Sequence, residues 1–172
     1  MRATISSVKI PSRPIHCLKA HEIEGHTVTI NNQGDLLGTG AGNQIKLWEL
    51  NSNGSSLTEL SKYSKLQKSL TTLSFSHQSD MLLVFSQDHQ GRILRCPKLQ
   101  DSVYMKGHTD IISDACFNHD GKQVVSGSRD CTVQVWQSSN GLRVHKVRGD
   151  LGLTYIVCMW NAVQQCGCEF VR

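Results

Sequence analysis

Apolar residues recur along this chain in clusters of two to five, broken by polar turns, and their spacing is that of strands. Ile111, Ser113, Ala115 and Phe117 alternate with polar neighbours as a half-buried strand does, whereas Ile112, Asp114, Cys116 and His119 follow no helical period. Asp120-Gly121 then supplies the positive backbone dihedrals of a tight hairpin, and Gln33-Gly34 holds the same place earlier in the chain. A third strand pair, around Leu73 and Leu83, is joined by Gln78-Ser79-Asp80, so a looser hairpin or another turn type is expected there. Strand, turn, strand is the unit, and the fold class it predicts is all-β.

The unit repeats. Leu18-Lys19-Ala20-His21 is followed at Gly34 by a turn, then by Leu36-Leu37-Gly38-Thr39-Gly40 and Ile45-Lys46-Leu47-Trp48. Met105-Lys106-Gly107-His108 leads with the same spacing to Gly121, then to Val124-Val125-Ser126-Gly127-Ser128 and Val133-Gln134-Val135-Trp136. Between them lies a degenerate copy, in which Arg92-Ile93-Leu94-Arg95-Cys96 places Cys96 where the tryptophan stands elsewhere. Counted from Trp48 to Cys96 to Trp136, the period averages about 44 residues, the length of a four-stranded propeller blade.

His108, Ser128, Asp130 and Trp136 of the last copy resemble the structural tetrad of the WD40 repeat family. That resemblance implies one buried hydrogen-bond relay, in which imidazole has a donor and an acceptor, the hydroxyl bridges, the carboxylate accepts and the indole N–H donates. The first copy matches at His21 and Trp48 only: Ala41 stands where Ser128 does, and Asn43 is the nearest substitute for Asp130, so a partial relay is expected. The middle copy has no Gly-His pair and carries Gln87-Asp88-His89 near its turn. A nucleophilic triad of His108, Ser128 and an aspartate is the rival reading, a hydrolase, and it requires an open face at the serine hydroxyl. A relay capped by tryptophan leaves none, and the chain reads as no enzyme.

Composition narrows the function classes further. The residues are 38% hydrophobic and 19% charged, ordinary globular values. No apolar run approaches the roughly 20 residues of a spanning helix. No signal-like apolar region follows Met1, so a cytoplasmic location is expected, as are free thiols for the seven irregularly spaced cysteines. Cys158, Cys166 and Cys168 lack the second pair that a metal site needs, and Gly38-Thr39-Gly40-Ala41-Gly42 lacks the Lys-Ser/Thr of a phosphate loop, so neither metal nor cofactor is expected. The net charge of +4 is too evenly spread for a nucleic-acid groove. The polar stretch 51–69 reads as an inter-blade connection plus an outer strand. Its Lys62, Lys65 and Lys68 also allow a basic patch for an acidic lipid or partner.

The order of intact and decayed copies is similar to the propeller of the autophagy-related protein 16 family. The residues that carry this likeness are Ile10-Pro11-Ser12-Arg13-Pro14 before Lys19-Ala20-His21, the decayed second copy, Lys106-Gly107-His108, Val125 to Asp130, and Tyr155-Ile156-Val157-Cys158. The resemblance implies a non-catalytic interaction module of a scaffold in autophagosome assembly. Its partners would be proteins of the autophagy conjugation machinery or adaptors, with peripheral contact at the phagophore membrane. That family's proteins also have a segment that binds the conjugate of autophagy proteins 5 and 12, and a dimerising coiled coil; no heptad run precedes Ile10. The expected organisation is a lead-in linker or strand over 1–14, repeats over 15–50, 51–98 and 99–149, the start of a fourth over 150–158, and an atypical tail over 159–172. The whole is a partial propeller of about three blades, its tail read as though outside the normal frame. Lys106, Thr109, Asp110 and Arg129, neighbours of the tetrad, are the candidate partner surface. A generic WD40 scaffold of a ubiquitin-ligase or RNA-processing complex is the alternative.

Overall fold

The computed structural model describes residues 19–23, 27–51 and 56–148. They form twelve strands: β1 (Thr27–Ile30), β2 (Leu36–Ala41), β3 (Gln44–Leu50), β4 (Leu57–Tyr63), β5 (Leu70–Phe75), β6 (Met81–Ser86), β7 (Gln90–Arg95), β8 (Gln100–Lys106), β9 (Ile112–Phe117), β10 (Gln123–Ser128), β11 (Thr132–Gln137) and β12 (Arg143–Arg148). Each successive set of four is an antiparallel meander, giving three sheets in simple sequence order. The sheets span 27–63, 70–106 and 112–148, so each begins later than the repeat expected for it, and the first two also end later. The offset arises because the strand after each of the first two repeats hydrogen-bonds backwards onto it: β4 pairs with β3 and β8 with β7. The lead-in over 1–14, the fourth repeat at 150–158 and the tail at 159–172 lie outside the described residues.

Burial explains the apolar run at 81–85. Leu73, Leu82, Val84 and Leu94 of the middle sheet pack towards the first sheet with Ile45 and Leu47. Leu83, Phe85 and Ile93, one residue out of phase, pack towards the third with Phe117, Val124 and Trp136. A strand covered on both faces reads as continuously hydrophobic instead of alternating. Gly40 lets the first two sheets meet: a Cβ there would lie 1.9 Å from a Leu70 methyl.

The three inner hairpins have one geometry. Gly34 donates its N–H to Asn31, Ser79 to Ser76 and Gly121 to Asn118, at 3.2, 3.0 and 3.0 Å. Ser79 adopts φ +64°, the left-handed conformation that Gly34 and Gly121 adopt in the other two. The middle hairpin is therefore not looser, as its missing glycine suggests. Its serine is held by the Asn31 amide, which donates to the Ser79 hydroxyl at 3.0 Å and helps offset the cost of that backbone.

Two further departures from simple alternation recur. In β5 and β9, Thr71 and Ser113 are extra residues opposite the neighbouring strand, so the inward phase slips and Ile112, not Ile111, is buried. In the outer strands, Leu60, Ser102 and Val144 are likewise skipped in the pairing, each beside Trp48, Leu94 or Trp136. Pairing also fixes the middle copy's anchor. Leu94 faces Leu82 as Trp136 faces Val124, so Leu94 occupies the tryptophan position. Cys96, expected there, lies in the following turn, where burial pushes its thiol up to about 12.

Candidate functional site

In the third sheet, His108 enters on the connection between β8 and β9, Asp130 sits in the β10–β11 turn and Trp136 projects from β11. Trp136 Nε1 donates to the Ser126 hydroxyl at 2.8 Å. That hydroxyl lies 2.8 Å from His108 Nε2, and His108 Nδ1 lies 2.8 Å from an Asp130 carboxylate oxygen. One proton arrangement satisfies the chain: indole to serine, serine to Nε2, and Nδ1–H to carboxylate. Asp130 also accepts the Thr109 and Thr132 amides at 3.0 and 2.9 Å and the Thr132 hydroxyl at 2.6 Å.

The bridging serine is therefore Ser126, and the placement of Ser128 in the relay is corrected. Both residues project from the same face of β10, one pleat repeat apart, or roughly 7 Å. Nδ1 engages the carboxylate in the turn, so Nε2 lies deeper along the strand, level with Ser126. Ser128, at the strand end, instead donates to the Asp110 and Ile111 carbonyls at 3.0 and 3.1 Å and accepts the Asp130 amide at 3.2 Å. No His108–Ser128 couple forms, and the serine that does meet His108 is wholly buried with its oxygen engaged by Trp136. The arrangement pins a connection to two strands and offers no hydroxyl to a substrate.

The first sheet repeats most of this. His21 Nε2 lies 2.9 Å from the Thr39 hydroxyl, which accepts the Trp48 indole N–H at 2.8 Å. Thr39, not Ala41, matches Ser126, so only the carboxylate is missing; exposed Asn43 does not bond His21. An alignment of the first copy on its hydroxyl would have identified the serine position. In the middle sheet the relay is apolar: Leu66, Val84 and Leu94 take the places of His108, Ser126 and Trp136 and share one core cluster. Asp88 remains in the turn, where it accepts from the Ser86 hydroxyl, the Gln90 amide and the Arg92 guanidinium. Apolar groups of fitting shape replace a buried polar network at little cost, which explains how the decayed copy keeps its blade.

Burial holds the His108 imidazole below its ordinary pKa against the pull of Asp130. Burial works against charge on Asp130 too, but the Thr132, Thr109 and His108 hydrogen bonds outweigh it and keep the carboxyl well below the usual range. The contact is thus a neutral ring donating to a carboxylate. A histidine whose folded pKa lies below its unfolded 6.5 takes up protons on unfolding. Its stabilisation is complete above pH 6.5 and is lost as pH falls through the folded value; Asp130 adds loss of the same sign below 3.8. Urea midpoints at pH 7.5, 6.5 and 5.5 should fall in that order, and a flat profile would contradict the neutral relay.

Thr109 and Arg129 are exposed and Asp110 is half-buried at this end of the sheet, with exposed Lys106 closing β8 beside them. The backbone below them is fixed, because the Arg129 amide donates to the Ile111 carbonyl at 2.9 Å. Cys158, Cys166 and Cys168 lie outside the described residues.

Three four-stranded sheets stacked through their inner strands, with a relay in the third, define a partial β-propeller. Residues 100–137 match the family model of the WD domain, G-beta repeat. This stretch is a WD40 repeat, and the sheets around it have the fold of a partial WD40 propeller. Protein tipD of Dictyostelium discoideum is 26% identical over 137 residues, 79% of this chain and 22% of tipD. Nuclear distribution protein nudF of Aspergillus niger is 29% identical over 143 residues, 80% of this chain and 29% of nudF. WD repeat-containing protein pop1 of Schizosaccharomyces pombe is 40% identical over 63 residues, 36% of this chain and 8% of pop1. The chain thus spans less than a third of each of these curated relatives. The solved structures of U3-55K and of the RRP9 WD40 repeats share its fold, each with a TM-score of 0.71 at 18% identity; they cover 78% of this chain, which covers 42% and 41% of theirs. WD40 propellers are generally non-catalytic scaffolds that mediate protein–protein interactions.

Proposed function

We propose that this chain is the recognition part of an autophagy-related protein 16-like scaffold, acting in the cytoplasm and at the phagophore membrane during autophagosome assembly. Its partners are proteins of the conjugation machinery or their adaptors. The observation that supports a recognition role is the fixed loop end of the third sheet, where Lys106, Thr109, Asp110 and Arg129 stand on backbone held by the buried relay. Rigid strands carrying exposed polar side chains on short connections are what specific binding needs. The autophagy assignment is supported by the order of copies, with a histidine–hydroxyl–indole arm first, an apolar copy second and a complete relay third.

The test is affinity capture from cell lysate with the chain as bait, against the double variant Asp110→Ala/Arg129→Ala. Recovery of autophagy conjugation proteins should fall at least about tenfold while the melting temperature stays within about 2 °C, since these are surface changes. Undiminished recovery would remove this surface. Capture of ubiquitin-ligase or RNA-processing subunits in place of autophagy proteins would favour the generic scaffold.

A further inference from the structure

A recess of about 460 Å³ lies between the 64–69 connection and the two outer strands of the middle sheet. Gln90 and Arg92 of β7 stand opposite Lys106 and Tyr104 of β8 on its floor, and Lys65 and Gln67 form the other wall. Three cations line it against one carboxylate, Asp101, which accepts the Tyr63 hydroxyl at 2.7 Å. With Asp88 behind Arg92 counted as well, the cavity keeps an excess of positive charge.

Arg92 is the anomaly. It is 6% exposed, and its guanidinium donates to Asp88 at 3.2 Å, to the Tyr63 hydroxyl at 3.1 Å and to the Lys65 carbonyl at 3.2 Å, yet its buried Nε has no partner. Gln134 holds this register position in the third sheet, with no charge, and Lys46 in the first pairs with Glu59 nearer the surface. The middle sheet has replaced its relay by leucine and valine, and the buried Asp88 carboxylate of its turn is met by Arg92 where Asp130 is met by a histidine. An arginine with an unpartnered Nε at the floor of a recess, with exposed Lys106 beside it and Lys65 on the wall 3.8 Å from Asp101, suits a ligand that brings negative charge.

We propose that this recess binds an acidic side chain, carboxylate or phosphate monoester, of an extended segment of a partner protein. The Gln67 and Gln90 amides and the Tyr104 ring flank the charge with groups that suit a peptide. A bilayer headgroup site would need an apolar rim to enter the membrane, and Tyr104 is the one large apolar residue among the exposed described ones that lines the recess. The site is separate from the surface around Arg129, with which it shares Lys106 alone.

The experiment titrates the full, isotopically labelled chain by nuclear magnetic resonance. The probes are three blocked pentapeptides identical but for a central phosphoserine, glutamate or serine, and a soluble inositol bisphosphate. Saturable shifts at the Gln67, Gln90 and Lys106 amides are expected with an acidic peptide and not with the serine peptide, and which acidic peptide binds more tightly tells phosphate from carboxylate. The double variant Lys65→Gln/Lys106→Gln, exposed on both counts, should keep its melting temperature and weaken binding about tenfold or more. Absence of binding by both acidic peptides, equal binding by the double variant, or tighter binding of the inositol bisphosphate than of either peptide would overturn the proposal. Asp110 and Arg129 are unchanged throughout, so failure here leaves the loop-end surface standing.

Discussion

Trp136→Ala should lower the unfolding free energy by about 3–5 kcal/mol, the range for removing a buried tryptophan from a close-packed core. The indole is 1% exposed and fills the boundary between the middle and third sheets beside Phe85, Ile93, Phe117 and Val124. Its removal opens a cavity that neighbours on two rigid sheets cannot collapse into, and it also leaves the Ser126 oxygen without a donor. Urea denaturation followed by circular dichroism measures the loss. A change under about 1 kcal/mol would mean that the third sheet does not pack on the second as described.

Ser126→Ala should cost about 2–4 kcal/mol and Ser128→Ala about 1 kcal/mol, although both serines are buried on one face of one strand. Removing the Ser126 hydroxyl strands two buried groups at once, the Trp136 N–H and His108 Nε2. Removing the Ser128 hydroxyl strands less, because the Ile111 carbonyl it bonds also accepts the Arg129 amide. Parallel denaturation of the two variants settles the order. If Ser128→Ala proved the more damaging, the hydroxyl in the relay would be misplaced by one pleat.

Much of the architecture was legible in the residues. Period-two alternation, the Gly34 and Gly121 turns and the recurrence of Trp48 and Trp136 were enough for an all-β chain of repeated units, and the resemblance to the WD40 tetrad brought His108, Asp130 and Trp136 to one site. Ser126 was not distinguished from Ser128 because alternation puts both on the correct face; depth along the strand depends on where the imidazole is tethered. Leu94 was passed over for Cys96 because a strand that has lost its tryptophan offers no aromatic marker, and only pairing with Leu82 fixes the register. Leu66 and Val84 were invisible as relay positions because in sequence they are ordinary core residues. The burial of Arg92 was not legible, since nothing in the chain announces that Tyr63 and the Lys65 carbonyl, nearly thirty positions away, will close over it.

The skipped residues Leu60, Ser102 and Val144 bear on how such molecules stay apart in solution. Each sheet ends in a strand whose outer row of amides and carbonyls is free for a foreign chain to dock against, yet the row loses its rhythm midway, where one extra residue kinks the backbone. A stray strand could match a few groups on one side of the kink and would fall out of step on the other. The same irregularity thus seats Trp48, Leu94 or Trp136 on the inside and discourages fibril-like growth on the outside.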